Sequence, residues 1–260
     1  MIKAKTKVTV IPNQEMLPLC WVRIKSTKQS LFERINNQLY CVGPNHELHS
    51  RLITCINKAE SVILLSSFLL TDTDVLAALE NAHERQVRIY ILTATENQIN
   101  RVIREDDQFS QDMHEIHKHF LDTLAEKATS RTAEHFHAKF VLADPINGGE
   151  GWLSTANFNK AILASVEVGV QLSSDQSKSL HEWFSWAFWK EAQHELRSIG
   201  DLPEVKMPPT DPLVFPRDNL FITTNSTQDL KNRVLDLIEI SKTRLMIACY
   251  GFEHDYEIVN

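Results

Sequence analysis

Apolar and polar positions along this chain fall into two regimes. Up to residue 44 the apolar residues form two short β-branched runs, Val8-Thr9-Val10-Ile11 and Cys20-Trp21-Val22-Arg23-Ile24, set apart by polar residues, Pro12 and Pro18. Such runs predict a strand-rich lead-in over residues 1–44. From Asn45 helical and strand spacings alternate. Leu48, Leu52, Ile56 and Ala59 recur at helical intervals, and Val62 to Phe68 is a short apolar run. Val75, Leu76 and Leu79 begin another helical stripe after Thr73, and Val87 to Leu92 is the next strand. This βαβ rhythm predicts an α/β fold with a mainly parallel sheet covered by helices. A polar, helix-compatible stretch runs from Glu96 to Ala128, followed by strand-like segments at Phe136 to Ala143 and Val166 to Leu172, then an aromatic helix over residues 176–196.

Trp183, Trp186 and Trp189, with Phe184 and Phe188, could form a base-stacking platform, but aromatics three apart on one helix more often mark the face that packs on a sheet. Pro203, Pro208, Pro209, Pro212 and Pro216 then forbid a helix or central strand, so residues 203–216 read as a linker. Beyond it the pattern repeats. A shift of 182 positions lays Glu47-Leu48-His49-Ser50-Arg51-Leu52-Ile53 on Asp229-Leu230-Lys231-Asn232-Arg233-Val234-Leu235. It also lays Val62 to Phe68 on Arg244 to Tyr250, which suggests duplication. On this reading residues 45–202 form one complete unit and 217–260 the truncated start of a second, since a counterpart of His137 would fall beyond Asn260.

Composition narrows the class. At 43% apolar and 23% charged, with 7 Gly and 9 Pro, the chain is neither collagen-like nor low-complexity. It holds no apolar run long enough for a membrane helix and no signal-peptide pattern at Met1, so a cytoplasmic location is expected. Cys20, Cys41, Cys55 and Cys249 make no Cys-x-x-Cys pair and signal neither a zinc knuckle nor a disulfide framework. The net charge of −7 is uneven. Lys3, Lys5, Lys7, Arg23, Lys25, Lys28 and Arg34 against Glu15 and Glu33 make residues 1–40 +5, leaving −12 elsewhere.

Candidate chemistry concentrates in His137-Ala138-Lys139-Phe140-Val141-Leu142-Ala143-Asp144, with Ser154-Thr155-Ala156-Asn157 and Glu167 downstream. In an extended strand alternate side chains share a face, so His137 and Lys139 project together while Ala138, Phe140 and Leu142 point inward. Thr155 and Asn157 are likewise two apart. An imidazole, an ammonium, a hydroxyl and an amide suit a phosphate: Lys supplies charge, Asn and Thr directed hydrogen bonds. Asp144 has the opposite parity from His137, which suggests a structural role. His114, His117 and His119, with His135, offer a rival metal site, but no Cys or carboxylate sits at the usual second-pair spacing and a solvated helix face is the better expectation.

His-x-Lys, four residues, Asp, then a small-residue turn ending in Asn resembles the HKD motif of the phospholipase D superfamily. The resemblance runs from about Asn45 to Leu196 and resumes at Arg217. It implies a phospholipase D-like mixed sheet flanked by helices, with an incomplete second copy at the C-terminus. It also implies that His137 is one of two facing active-site histidines, that Lys139, Thr155 and Asn157 bind phosphate, that Glu167 orients an imidazole, and that Asp144 completes the signature. One histidine would attack phosphorus and the other protonate the leaving oxygen. The second is expected from the missing part of the second repeat or from another chain, so this chain alone is expected to be inactive. Two departures stand out: Ser154-Thr155 replaces the usual Gly-Ser, and the turn between Asp144 and Ser154 is a few residues longer than the family's. Cofactors are expected to be absent. The expected activity is metal-independent phosphodiester hydrolysis through a phosphohistidine, most naturally on nucleic acid; the alternatives are a phospholipase D or phosphatidyltransferase acting on phospholipid, and a catalytically broken nucleic-acid-binding or interaction module.

Overall fold

The computed structural model describes residues 33–35, 38–42, 46–102, 108–134, 136–163, 165–205, 218–224 and 227–242. The runs at 8–11 and 20–24, and the expected strand at 245–250, lie outside them. Nine strands form one mixed sheet: β1 (Glu33–Ile35), β2 (Gln38–Val42), β3 (Val62–Ser66), β4 (Arg88–Ala94), β5 (Thr129–Ala133), β6 (Phe140–Ala143), β7 (Gly151–Ser154), β8 (Val168–Gln171) and β9 (His194–Leu196). Their order is β1-β2-β8-β7-β6-β3-β4-β5-β9. Only β3, β4 and β5 run parallel to one another; the other pairings are antiparallel.

Both faces of the central strands are buried, which is why they read as continuous apolar runs. The period of two then sorts their side chains. Ile63, Leu65, Ile89, Ile91, Val141 and Ala143 belong to one core with Leu52 and Ile56 of α1 (Glu47–Lys58), Val75 and Leu79 of α2 (Thr73–Glu84) and Phe120 and Leu124 of α4 (Gln108–Leu124), which follows α3 (Glu96–Val102). Leu64, Leu92, Phe140 and Leu142 belong to the other, with Leu180, Trp183 and Phe184 of α5 (Ser174–Trp186) and Phe188 of the π-helical turn Ala187–Glu191. Trp183 is thus a core residue, stacked on Phe136 at 5.1 Å, while Trp189 is 50% exposed beside the Arg131 guanidinium.

Several elements depart from the sequence expectation. The segment over 176–196 is not one helix, because Ser173 caps α5, a π turn follows it, and β9 pairs with β5. The polar strand β5 was hidden in its composition. Arg131 lies buried because Glu195 of β9 and the Phe188 carbonyl take its donors. Strand β6 begins at Phe140, so His137 and Lys139 sit in the extended lead-in rather than the strand. Of the expected duplicate, α6 (Asp229–Ile240) is the part among the described residues; it buries no side chain, and no second copy of the unit is shown. No helix among the described residues is long and apolar enough to cross a membrane.

Candidate active site

Topology gathers all of the motif but Asp144 at one end of the sheet. The end of β3 and the starts of β6 and β8 lie beside the end of β7, because these neighbours alternate in direction. This is the end to which the parallel strands β3 and β4 point their carboxyl termini, where open α/β sheets bind ligands. Residues 66–68, 137–139, 154–157 and 167 therefore share one rim.

His137 is exposed there, its ring edge-on to Phe68 at 5.2 Å. Lys139 is only 8% exposed, and its Nζ lies 2.8 Å from His137 Nδ1, 3.1 Å from Nε2 and 2.9 Å from the His137 carbonyl. An ammonium so placed favours a neutral imidazole. Partial burial, and then the charge of Lys139, hold the His137 pKa below its ordinary value. Burial pushes Lys139 down to about 8, against the opposing pull of Glu167.

Asn157 turns its Oδ1 toward Ser67 Oγ at 3.4 Å, and among the described residues nothing accepts from its Nδ2. That amide is available to an anion. Thr155 and Glu167 depart from the roles the resemblance implied. Thr155 Oγ1 donates to Glu167 Oε2 at 2.5 Å and accepts from the Val168 N–H at 2.9 Å, so Glu167 is bonded to Thr155 and not to His137. To donate to a phosphate the Thr155 hydroxyl would have to leave Glu167. Asp144 lies at the opposite end of β6, where its carboxylate accepts the backbone N–H groups of Glu60, Ser61 and Val62 at 2.7, 2.9 and 2.8 Å. The rim does not include it; it anchors the start of β3.

The expected solvated histidine face of α4 holds only in part. His117 is buried, and its Nδ1 accepts the Leu70 N–H at 3.0 Å, while burial brings its pKa down to about 4. Among the described residues the group whose ligand atoms could surround a metal is instead His49, Asp72 and Asp74, within 4.8 Å of one another. Asp72 there already caps α2 through Oδ1 and meets His49 Nε2 at 3.0 Å through Oδ2. This His/Asp cluster adjoins the rim, since the Phe158 carbonyl accepts from both Thr71 and Asp72. Sequence reading passed over Ser66 and Ser67. Their signal was two hydroxyls closing an apolar strand at the ligand-binding end of a sheet.

The family model described as "Cardiolipin synthase, PLD-like domain" matches residues 52–189. Among solved structures the chain is similar to Nuc, a phospholipase D family member from Salmonella typhimurium, at 20% identity, covering 61% of this chain and 98% of Nuc with a TM-score of 0.48. It is also similar to NucT from Helicobacter pylori at 14% identity, covering 62% of this chain and 98% of NucT, with a TM-score of 0.45. Phosphatidylserine synthase from Haemophilus influenzae Rd KW20 aligns at 12% identity, covering 66% of this chain and 43% of that one, with a TM-score of 0.49. No curated protein matches the chain.

Proposed function

Because this chain belongs to the phospholipase D-like domain family and carries a catalytic motif consistent with phosphodiesterase activity, we propose that it hydrolyses nucleic-acid phosphodiesters with His137 as the nucleophile. The observation that carries this reading is the Lys139 ammonium within 3.1 Å of both ring nitrogens of an exposed His137. A neutral imidazole beside a partly desolvated cation is poised to attack an anionic phosphorus, not to give up a proton.

A ring nitrogen of His137 forms the N–P bond as the P–O bond to the leaving group breaks. The leaving oxygen takes its proton from a second imidazole. Water then attacks the phosphohistidine, giving its proton to that second imidazole, and His137 departs from phosphorus. Lys139 and the Asn157 amide hold the non-bridging oxygens throughout, and charge-assisted contacts of this kind supply most of the stabilisation in phosphoryl transfer. The sequence contains one His-x-Lys-x4-Asp motif. The second imidazole is therefore assigned to another motif, in a second copy of the chain or in a further repeat of which the helix at Asp229–Ile240 would be the start. The basic first 40 residues favour a polyanionic substrate.

A second reading, phosphatidyl transfer, is favoured by the family's description as a cardiolipin synthase domain; an alcohol would then replace water in the second step. The test is incubation of the 260-residue protein with plasmid, RNA and phosphatidylglycerol vesicles in EDTA. Nucleic-acid cleavage that survives chelation supports the proposal, and lipid turnover alone replaces it with the second reading. Retention of nucleic acid without cleavage identifies a binding module. Activity lost on chelation and restored by a divalent ion rejects the metal-independent mechanism.

A further inference from the structure

We infer that Ser66 and Ser67 are the positioning residues of this site, one hydroxyl fixing the His137–Lys139 segment and the other fixing the backbone that carries Asn157. The inference rests on the reading of His137, Lys139 and Asn157 as the reacting and phosphate-binding groups. Both serines are fully buried, so neither can touch a substrate.

The need for them follows from the end of the ladder. Strand β3 pairs with β6 only as far as Ser66 opposite Phe140. Beyond that step the backbone of residues 137–139 has no strand partner on the β3 side. On its other side the Lys139 carbonyl still accepts from the Ser154 N–H at 2.8 Å. Ser66 Oγ supplies the missing bond, donating to the Ala138 carbonyl at 2.6 Å, midway between the two functional side chains. Ser67 serves the other half of the motif. Its Oγ accepts the Phe158 N–H at 3.1 Å, the peptide group that follows Asn157, and gives its one proton to the Leu69 carbonyl at 2.6 Å; Asn157 Oδ1 rests beside it at 3.4 Å. The Phe158 carbonyl is held in turn by the N–H groups of Thr71 and Asp72 at 2.9 and 3.1 Å. One dipeptide thus ties together two segments about twenty residues apart in the motif, and it is itself rooted in the sheet through the Ser67 N–H on the Leu92 carbonyl and Thr93 Oγ1 on the Phe68 carbonyl. Preorganisation of this kind matters because misplacing a reacting group by about 1 Å can cost about 100-fold in rate.

The two hydroxyls should have separable effects, and the test reads both on the full 260-residue protein by NMR. Ser66→Ala frees the Ala138 carbonyl and loosens His137 from Lys139, so the His137 imidazole midpoint should move up toward its ordinary value, with the Asn157 side-chain amide resonances in place. Ser67→Ala should displace those amide resonances and weaken inorganic phosphate binding several-fold, with the His137 midpoint unchanged. Turnover of bis(p-nitrophenyl) phosphate, where present, should fall in kcat for Ser66→Ala and rise in KM for Ser67→Ala. Should Ser66→Ala fail to fold, Ser66→Cys keeps the volume with a weaker donor and carries the same expectation. Folded variants with wild-type midpoint and wild-type amide resonances overturn the inference, and so does a common shift of both readouts in both variants, which would mark general loosening. The imidazole and amide readouts need no activity. A protein whose turnover survives His137→Ala therefore defeats the functional reading while leaving the two serines judged on their own.

Discussion

His137 and Lys139 both titrate away from their ordinary values in a way that activity should report. Burial and the neighbouring cation hold His137 below 6.5, and burial holds Lys139 near 8. If the imidazole must be neutral to attack and the ammonium charged to hold phosphate, kcat/KM should be bell-shaped, with its acid limb below pH 6.5 and its alkaline limb near pH 8. Lys139→Met should abolish the alkaline limb and shift the acid limb upward. His137→Ala should lower kcat by about 10³-fold or more, read by single-turnover kinetics. A third residue titrates silently with respect to chemistry. His117 is neutral in the folded state down to about pH 4 but protonates near 6.5 when unfolded, so the unfolded chain binds more protons between those values. Its contribution is present above pH 6.5 and is lost as pH falls toward 4. Urea unfolding should show about 2 kcal/mol of loss from this group between pH 7 and 5, and His117→Gln should flatten that slope.

Among the elements, β3 depends on a residue 82 positions away. Asp144 satisfies three backbone donors at its start, two of them before the strand's first residue. Asp144→Ala leaves those donors without their anion and should cost about 3 kcal/mol, with Asp144→Asn costing less because one acceptor oxygen remains. Chemical denaturation of the two variants checks this, and the phosphate affinity of either folded variant should stay near wild type. The turn that follows is equally constrained. A Cβ on Gly149 would lie 1.9 Å from the Ala143 carbonyl oxygen, so Gly149→Ala must open the β6–β7 connection. Strands β3 and β4 were legible because both their faces are apolar. Strand β5 was not: Ser130, Arg131 and Thr132 are buried only because β4, β9 and the π turn surround them. The same π turn defeated the single-helix reading of 176–196, since aromatic spacing of three persists through it.

At the scale of the whole molecule, the rim carries one histidine of the proposed mechanism, His137, and that mechanism needs two. If a second copy supplies the other, specific activity should rise with protein concentration until dimers saturate; constant specific activity across a hundredfold dilution would place the second imidazole elsewhere. The sequence by itself determined the βαβ core and the spacing of His137, Lys139 and Asp144 along one segment, with Thr155, Asn157 and Glu167 downstream; the strand parity it suggested does not reach them, since β6 covers only Phe140–Ala143. These are matters of local period and spacing, which a strand's two-residue repeat and a helix's 3.6-residue repeat make visible in the apolar pattern. Only the tertiary structure decided that β6 lies between β3 and β7, which brings Ser66 to Ala138 and Ser67 to Asn157 across 72 and 90 residues of chain. It alone turned Thr155 onto Glu167, buried His117 against Leu70 and carried Asp144 to the far end of the sheet. Such contacts join residues remote in sequence, and strand order and direction choose them, which no local pattern encodes.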